Sequence, residues 1–385
     1  MTDSQLAEFV VALGQPKFRA AQIRDWLARG APDAESMKNL PATLRAQLDA
    51  VAQTLPLKVE KILESSDGQT VKFLLAVSRK PQVVSNETNV THDSRLTTYD
   101  FIETVLMQTT YGNSVCVSSQ VGCAMGCKFC ASTLLGLRRD LTADEMLAQV
   151  LIADWWLKRS PVASRQSPVK RAAGALPKTK SARTDDWRLA TGDSVTHIVV
   201  MGVGEPLQNT GALFEFLERA NRDLDISYRR MTVSTCGIVP GIRALKQWGK
   251  PINLAISLHA PNDSLRTRIM PIAEKYKIAE ILDVAFDTCE STGRQLMIEY
   301  IMLGGINDSP ESAHELAALL HGKNCMVNLI PWNPVSERDF TAPSNNTVHR
   351  FQDILIENGI HTRIRRERGQ DIGSACGQLR IGHKQ

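Results

Sequence analysis

The chain has 385 residues, 43% of them hydrophobic and 22% charged, with a formal net charge of +4, which is the profile of an ordinary globular protein of about two domains. No stretch reaches the ~18 consecutive apolar residues of a membrane span, and its eight cysteines lack the density and spacing of a secreted disulfide framework. The first ten residues carry Asp3 and Glu8 and have neither the positive start nor the apolar run of a signal peptide, so a cytoplasmic location is expected.

The first 50 or so residues read as helical. Phe18, Ile23, Trp26 and Leu27 recur at helix-like spacing, and Leu40-Pro41 opens another short helix through Leu48. From Leu57 the pattern turns to strands at 58–63 (KVEKIL), 71–77 (VKFLLAV) and 100–107 (DFIETVLM), bounded by polar turns. This predicts a small N-terminal helical accessory domain with entry strands over residues 1–95 and a core over 96–385.

Beyond Ser114 apolar strands alternate with amphipathic helices, the signature of βα units around a parallel sheet. The predicted strands are 115–119, 197–202, 231–235, 253–258, 297–302, 326–330 and 362–365. Helices are predicted at 143–158, 212–221, 309–320 and 345–358. Such repetition is an α/β pattern that suggests a full or partial TIM-like barrel, whose chemistry belongs at the carboxyl ends of the strands.

One segment interrupts the alternation. Residues 158–193 hold nine Lys or Arg against three Asp, a charge of +6 that leaves about −2 for the rest of the chain. Rich in Pro, Ser, Ala and Lys, it reads as a loosely ordered insertion, either a source of phosphate contacts or a solubilising insert. A second basic patch, Arg363, Arg365, Arg366 and Arg368, suits a polyanion or an exposed edge strand with charged gatekeepers.

The chemistry is concentrated at 121–131 (VGCAMGCKFCA), where Cys123, Cys127 and Cys130 are spaced C-x3-C-x2-C. A four-iron cluster needs a ligand at each iron, and three cysteines leave one iron open. In radical S-adenosylmethionine (SAM) enzymes, SAM fills that position and is split to a carbon radical, chemistry that belongs to the cofactor. Zinc is the alternative, but no second C-x2-C knuckle or histidine pair follows. Further polar and glycine residues fall at strand ends: Gly204 and Glu205, Ser234, Ser257 with Leu258 and His259, and Asn333. Glycines there permit close backbone approach to a ligand. Each alone is a weak signal, and His259 by itself is more often a satisfied structural histidine than a catalyst.

Together, 116–123 (CVSSQVGC), the cluster loop, 201–207 (MGVGEPL), 256–262 (ISLHAPN), 328–334 (NLIPWNP) and 375–379 (ACGQL) resemble the RlmN family of radical SAM enzymes, dual-specificity methyltransferases acting on carbon 2 of adenine in ribosomal and transfer RNA. The likeness runs from about Gln15 to Leu379. It implies a partial radical SAM (β/α)6 barrel with an N-terminal RNA-binding extension. It also implies a 4Fe-4S cluster on Cys123, Cys127 and Cys130, and SAM, two per turnover, contacted by Gly204, Glu205, Ser234, Ser257, Leu258, His259 and Asn333. Cys376 matches the family's methyl-carrying cysteine, Cys116 its resolving partner and Glu103 its proposed base.

The implied route methylates the Cys376 thiolate and removes a hydrogen from that methyl group, and the resulting carbon radical adds to the electron-poor adenine carbon. Loss of the carbon-2 proton to Glu103 and attack of Cys116 on the Cys376 sulfur then release product with a Cys116–Cys376 disulfide. The implied targets are 23S rRNA near the peptidyl-transferase centre and tRNA at the adenosine 3' to the anticodon, with the adenine exposed from its stack. Arg363, Arg365, Arg366 and the N-terminal domain are the candidate RNA contacts.

An electron donor such as flavodoxin, a monomer and no membrane association are expected. Without the resemblance, Cys116 and Cys376 default to buried apolar residues and Glu103 to a solvated strand face. Cys236, Cys289 and Cys325 read as structural. The alternative is a Cfr-type enzyme that methylates carbon 8 of the same ribosomal adenine. A non-catalytic cluster protein would need neither Cys116 nor Cys376.

Overall fold

The computed structural model describes residues 3–28, 31, 33–51, 55–78, 99–134, 136–159, 194–334, 337–365 and 370–372. Most of the basic 158–193 segment, Arg366, Arg368, Cys376 and the expected boundary at 95/96 lie outside the described residues.

Three helices, α1 (Asp3–Ala12), α2 (Arg19–Ala28) and α3 (Ala42–Val51), bury Leu6, Val10, Ile23, Met37, Leu44 and Leu48 in an apolar core of their own. Trp26 and Leu27 pack against it, as the spacing predicts. Phe18 does not, and is 59% exposed. The reason is local: α2 begins only at Arg19, so Phe18 precedes the helical period and lies beneath the Arg19 guanidinium, 4.9 Å from its ring centroid. A second core begins at Leu55 and runs through the rest of the fold.

That second core is built on a ten-stranded sheet. In chain order its strands are β1 (Leu57–Glu64), β2 (Thr70–Ser78), β3 (Tyr99–Thr109), β4 (Gly112–Cys116), β7 (Val195–Val200), β8 (Met231–Thr235), β9 (Asn253–Ser257), β10 (Leu296–Met302), β11 (Cys325–Pro331) and β12 (His361–Ile364), and they lie side by side in that order. Two short strands, β5 (Gln120–Val121) and β6 (Arg139–Asp140), form a separate hairpin after β4. From β1 to β4 the pairing is antiparallel, and from β4 to β12 it is parallel.

All the predicted strands are present. The parallel strands are joined by α4 (Ala143–Arg159), α5 (Thr210–Leu224), α6 (Val239–Trp248), α7 (Asp263–Ile269) with α8 (Ile278–Thr292), α9 (Pro310–Leu320) and α10 (Asn345–Glu357). Three of these, α6, α7 and α8, go beyond the helices predicted from sequence.

Strand alternation divides the sheet into two unlike faces. Ile198, Val200, Met231, Val233, Leu254, Ile256, Ile298, Tyr300, Val327 and Leu329 are buried on the face the helices cover. Each such side chain contributes roughly 1.5–3 kcal/mol, so this face fixes the architecture. The register places Lys72, Val105, Cys116, Val199, Thr232 and Asn253 on one line across the opposite face, and Ser257, Glu299, Asn328 and Arg363 on another. That face is unusually polar for a parallel sheet. Arg365, just after β12, exerts its charge on both Cys116 in β4 and Glu299 in β10, although β7, β8 and β9 separate those strands. Only a sheet curled around this polar face brings one guanidinium to both. The architecture is therefore the expected partial barrel, with β1 and β12 at its two ends.

Candidate active site

The cysteine loop follows β4 at the carboxyl edge of the parallel strands. Gly122 has φ +81°, and a Cβ there would stand 1.8 Å from the Gly136 carbonyl oxygen, so only glycine fits. The loop's backbone is held from several sides. Cys123 N donates to Gly136 O at 3.2 Å and Lys128 N to Ile269 O at 3.0 Å. Trp332 Nε1 donates to Phe129 O at 3.2 Å, Arg338 Nη2 to Cys130 O at 2.9 Å, and Thr133 Oγ1 to Cys127 O at 3.1 Å.

With the carbonyls engaged, the thiols of Cys123, Cys127 and Cys130 stand close enough to influence one another. Burial pushes the Cys127 thiol well up, Cys130, Cys123 and Glu205 push it further, and Arg266 opposes them. Three cysteine thiols gathered in one tightly held loop fit a site completed by a metal cluster, which takes cysteines as thiolates and pulls off their protons. Among the described residues no three His, Cys, Asp or Glu side chains converge on a point fit for one metal ion. A four-iron cluster, with each cysteine on a different iron, asks for a wider arrangement.

The strand-end residues of the sequence analysis gather beside this loop, though not all in the manner expected. Gly204 has φ +112°, and the space a Cβ would take is filled by Gln120, 2.6 Å away. Its missing side chain thus admits a neighbouring segment of the protein. Glu205 is buried; its Oε1 accepts from Leu207 N at 3.0 Å and its Oε2 from Cys236 N at 2.8 Å, while burial pushes its carboxyl up. Leu258 is fully buried, its N–H on Glu299 O and its carbonyl on Arg266 Nε.

His259 has φ +62° and packs edge-on against Phe129 of the cysteine loop at 5.0 Å. Its Nδ1 accepts from Ile301 N at 2.9 Å, which puts the ring proton on Nε2. Burial, helped by Arg266, lowers its pKa to about 3, so the ring is neutral. Ser234 and Ser257 face one another at 3.5 Å and are half-buried. Asn333, just past the end of β11, is half-buried.

A second corner lies on the same polar face at β2, β3 and β4. Glu103 is 3% exposed, not on the solvated face that pattern alone would give it. Its Oε2 is 2.8 Å from Lys72 Nζ, and the Lys72 side chain is 0% exposed. Cys116, at the end of β4, is a free thiol that burial pushes up, with Arg365 and then Met201 N–H offsetting that rise. Cys376 lies outside the described residues, and with it the implied disulfide. Asp371, five residues earlier, accepts from Ser66 N at 2.7 Å in the β1–β2 turn. Arg363 and Arg365 are exposed.

Lys72 and Arg266 are the two buried cations that the sequence reading missed. Lys72 had one visible signal, a lone charge inside the apolar run 71–77. Arg266 had none, since it sits on α7, outside every quoted motif.

Comparison with known proteins agrees with this geometry. The family profile described as Ribosomal RNA large subunit methyltransferase N-terminal domain matches residues 1–54. A protein of Lachnospira eligens named probable dual-specificity RNA methyltransferase RlmN is 40% identical over 381 residues, covering 98% of this chain and 93% of that protein. One of the same name from Geobacillus thermodenitrificans is 42% identical over 383 residues, covering 99% and 91%. The crystal structure of a radical SAM methyltransferase from Sphaerobacter thermophilus superposes with a TM-score of 0.75 at 38% identity, covering 98% of this chain and 97% of that one. At these identities and over this length, with a shared fold and the cysteine loop at the carboxyl edge of its strands, the chain belongs to the RlmN family of radical SAM, dual-specificity RNA methyltransferases.

Proposed function

We propose that this protein methylates carbon 2 of adenine in 23S rRNA near the peptidyl-transferase centre and in tRNA at the adenosine 3' to the anticodon. In this reading Cys123, Cys127 and Cys130 hold a 4Fe-4S cluster. Gly204, Glu205, Ser234, the 257–259 segment and Asn333 surround SAM, two molecules of which are used per turnover. When bound, cluster and SAM supply one-electron cleavage of a carbon–sulfur bond. The observation that carries the reading is the meeting of Cys127 with Cys123, Cys130, Glu205 and Arg266, groups from two separate strand ends and one helix.

The chain's own residues have the remaining tasks. Cys376 carries the methyl group as a thioether, and Glu103 accepts the carbon-2 proton, with Lys72 fixing the carboxylate's orientation. Cys116 frees the product by attacking the Cys376 sulfur. That attack needs its thiolate, which Arg365 and, less strongly, Lys72 favour against burial. The exposed Arg363 and Arg365, with the N-terminal helices, meet the RNA backbone. No described helix is long and apolar enough to cross a membrane. A cytoplasmic monomer served by a donor such as flavodoxin completes the proposal.

The test is an anaerobic assay with reconstituted iron and sulfide, SAM, reductant and unmodified RNA. The expected products are 5'-deoxyadenosine and 2-methyladenosine, identified by mass spectrometry. With 8-methyladenosine as main product the Cfr-type reading replaces this one. Cys376→Ala should keep the iron but lose methyl transfer, and Cys116→Ala should accumulate a crosslinked protein–RNA species.

A further inference from the structure

Arg266, on α7, is 0% exposed, and backbone carbonyls are its hydrogen-bond partners. Its Nε donates to Leu258 O at 3.1 Å, and its Nη2 to Cys236 O at 2.5 Å and Ser257 O at 3.3 Å. Nη1 reaches Tyr276 O at 3.5 Å. Among the described residues no carboxylate forms an ion pair with it. Glu205 gives both oxygens to backbone N–H groups, and Asp263 accepts from Ile278 N at 2.9 Å. Carbonyl dipoles solvate a guanidinium but do not cancel its charge, and Asp263 acts on it only from beyond ion-pair distance; a buried charge so weakly matched is costly unless something opposes it.

The cysteine loop stands directly against this element. Lys128 N is bonded to Ile269 O, one turn beyond Arg266, and a Cβ on Gly126 would sit 3.5 Å from Pro271 Cγ. The Cys127 and Cys236 thiols both feel the Arg266 charge. Arg338 also reaches the loop, but it is half-buried and bonded to Cys130 O and Thr133 Oγ1.

We propose that Arg266 is the fixed counter-charge of the cluster held by Cys123, Cys127 and Cys130, a positioning residue that raises the cluster's reduction potential. This rests on the reading of those three cysteines as cluster ligands. Three thiolates outweigh the positive charge of an oxidised four-iron cubane by one unit and of a reduced one by two. A cation held in a dry, low-dielectric site therefore favours the reduced form. The rigid fork of arginine also ties the ends of β8 and β9 to α7, which keeps the charge in place.

The experiment is EPR-monitored redox titration of the reconstituted full chain, with iron and sulfide counted, for wild type, Arg266→Met and Arg266→Lys. Arg266→Met, fully loaded, should shift the one-electron reduction equilibrium at least tenfold toward the oxidised form, about 59 mV, while Arg266→Lys, which keeps the charge, should stay within about threefold of wild type. A loaded Arg266→Met protein with the wild-type midpoint overturns the inference. If Arg266→Met does not fold, Arg266→Lys decides alone: retained midpoint supports the charge, and a tenfold shift despite the retained charge overturns it. A wild-type chain that holds no four-iron cluster would instead fail the ligand reading itself.

Discussion

Two cations buried among the described residues are held in opposite ways. At β2 and β3, Lys72 is matched by the carboxylate of Glu103 at 2.8 Å. At β8 and β9, Arg266 rests on carbonyl oxygens without a carboxylate ion pair among the described residues. The first corner is electrically closed and serves to orient a group. The second leaves a guanidinium without an ion-paired carboxylate beside three cysteines. The contrast teaches that a buried cation's partner says what it is for: a carboxylate partner makes it structural or orienting, and carbonyls alone leave its field for something else.

The largest expected effect tests the open corner. Cys127→Ala should remove the cluster and lower methylation by at least about a thousandfold, the scale lost when a cofactor site is destroyed, with iron content falling in parallel. Normal iron loading would break the contrast at its root. At the closed corner, Lys72→Met leaves the Glu103 carboxylate buried without its cation and should destabilise the fold by about 3–5 kcal/mol in denaturant unfolding. Lys72→Met combined with Glu103→Leu should recover much of that loss. If the double variant were as unstable as the single one, the pair would not be a closed unit.

Gly122→Ala puts a Cβ 1.8 Å from a backbone oxygen at φ +81° and should cost about 2 kcal/mol or more while loosening iron uptake. His259 sharpens the open corner through pH. Its folded pKa, about 3, lies below the unfolded value near 6.5. Its contribution to stability is therefore complete above pH 6.5 and is lost as the pH falls toward 3, because the unfolded chain binds the proton first. Replacing it by Asn, which tolerates the positive φ, should flatten that slope. A wild-type curve no steeper than the variant's would contradict a neutral buried ring. The smallest effect is at Asn262, whose side chain caps α7 by accepting from Leu265 N at 2.9 Å; Asn262→Ala should cost about 1 kcal/mol.

Much of this protein was legible in its sequence because the relevant signals are local. The alternation of apolar strands with helices after Ser114 announces βα units. The C-x3-C-x2-C spacing announces the cluster loop, and Gly122 and Gly126 fall inside it. The first departures were equally local in cause: Phe18 misses its core because α2 starts one residue later than the apolar spacing implied. Gly204 makes room for Gln120, and only the packing of 120 against 204 could say so.

What the sequence determined by itself was the set of elements and the chemistry of the loop, since periodicity, turn residues and ligand spacing are written within a few positions of one another. What tertiary structure decided was pairing across long separations. Lys72 meets Glu103 because β2 and β3 lie side by side, and Arg365 reaches both Cys116 and Glu299 because the sheet curls. Arg266 meets Cys127 because α7 folds back beneath the cysteine loop. Charge acts through space, and no local pattern records which distant groups will share it.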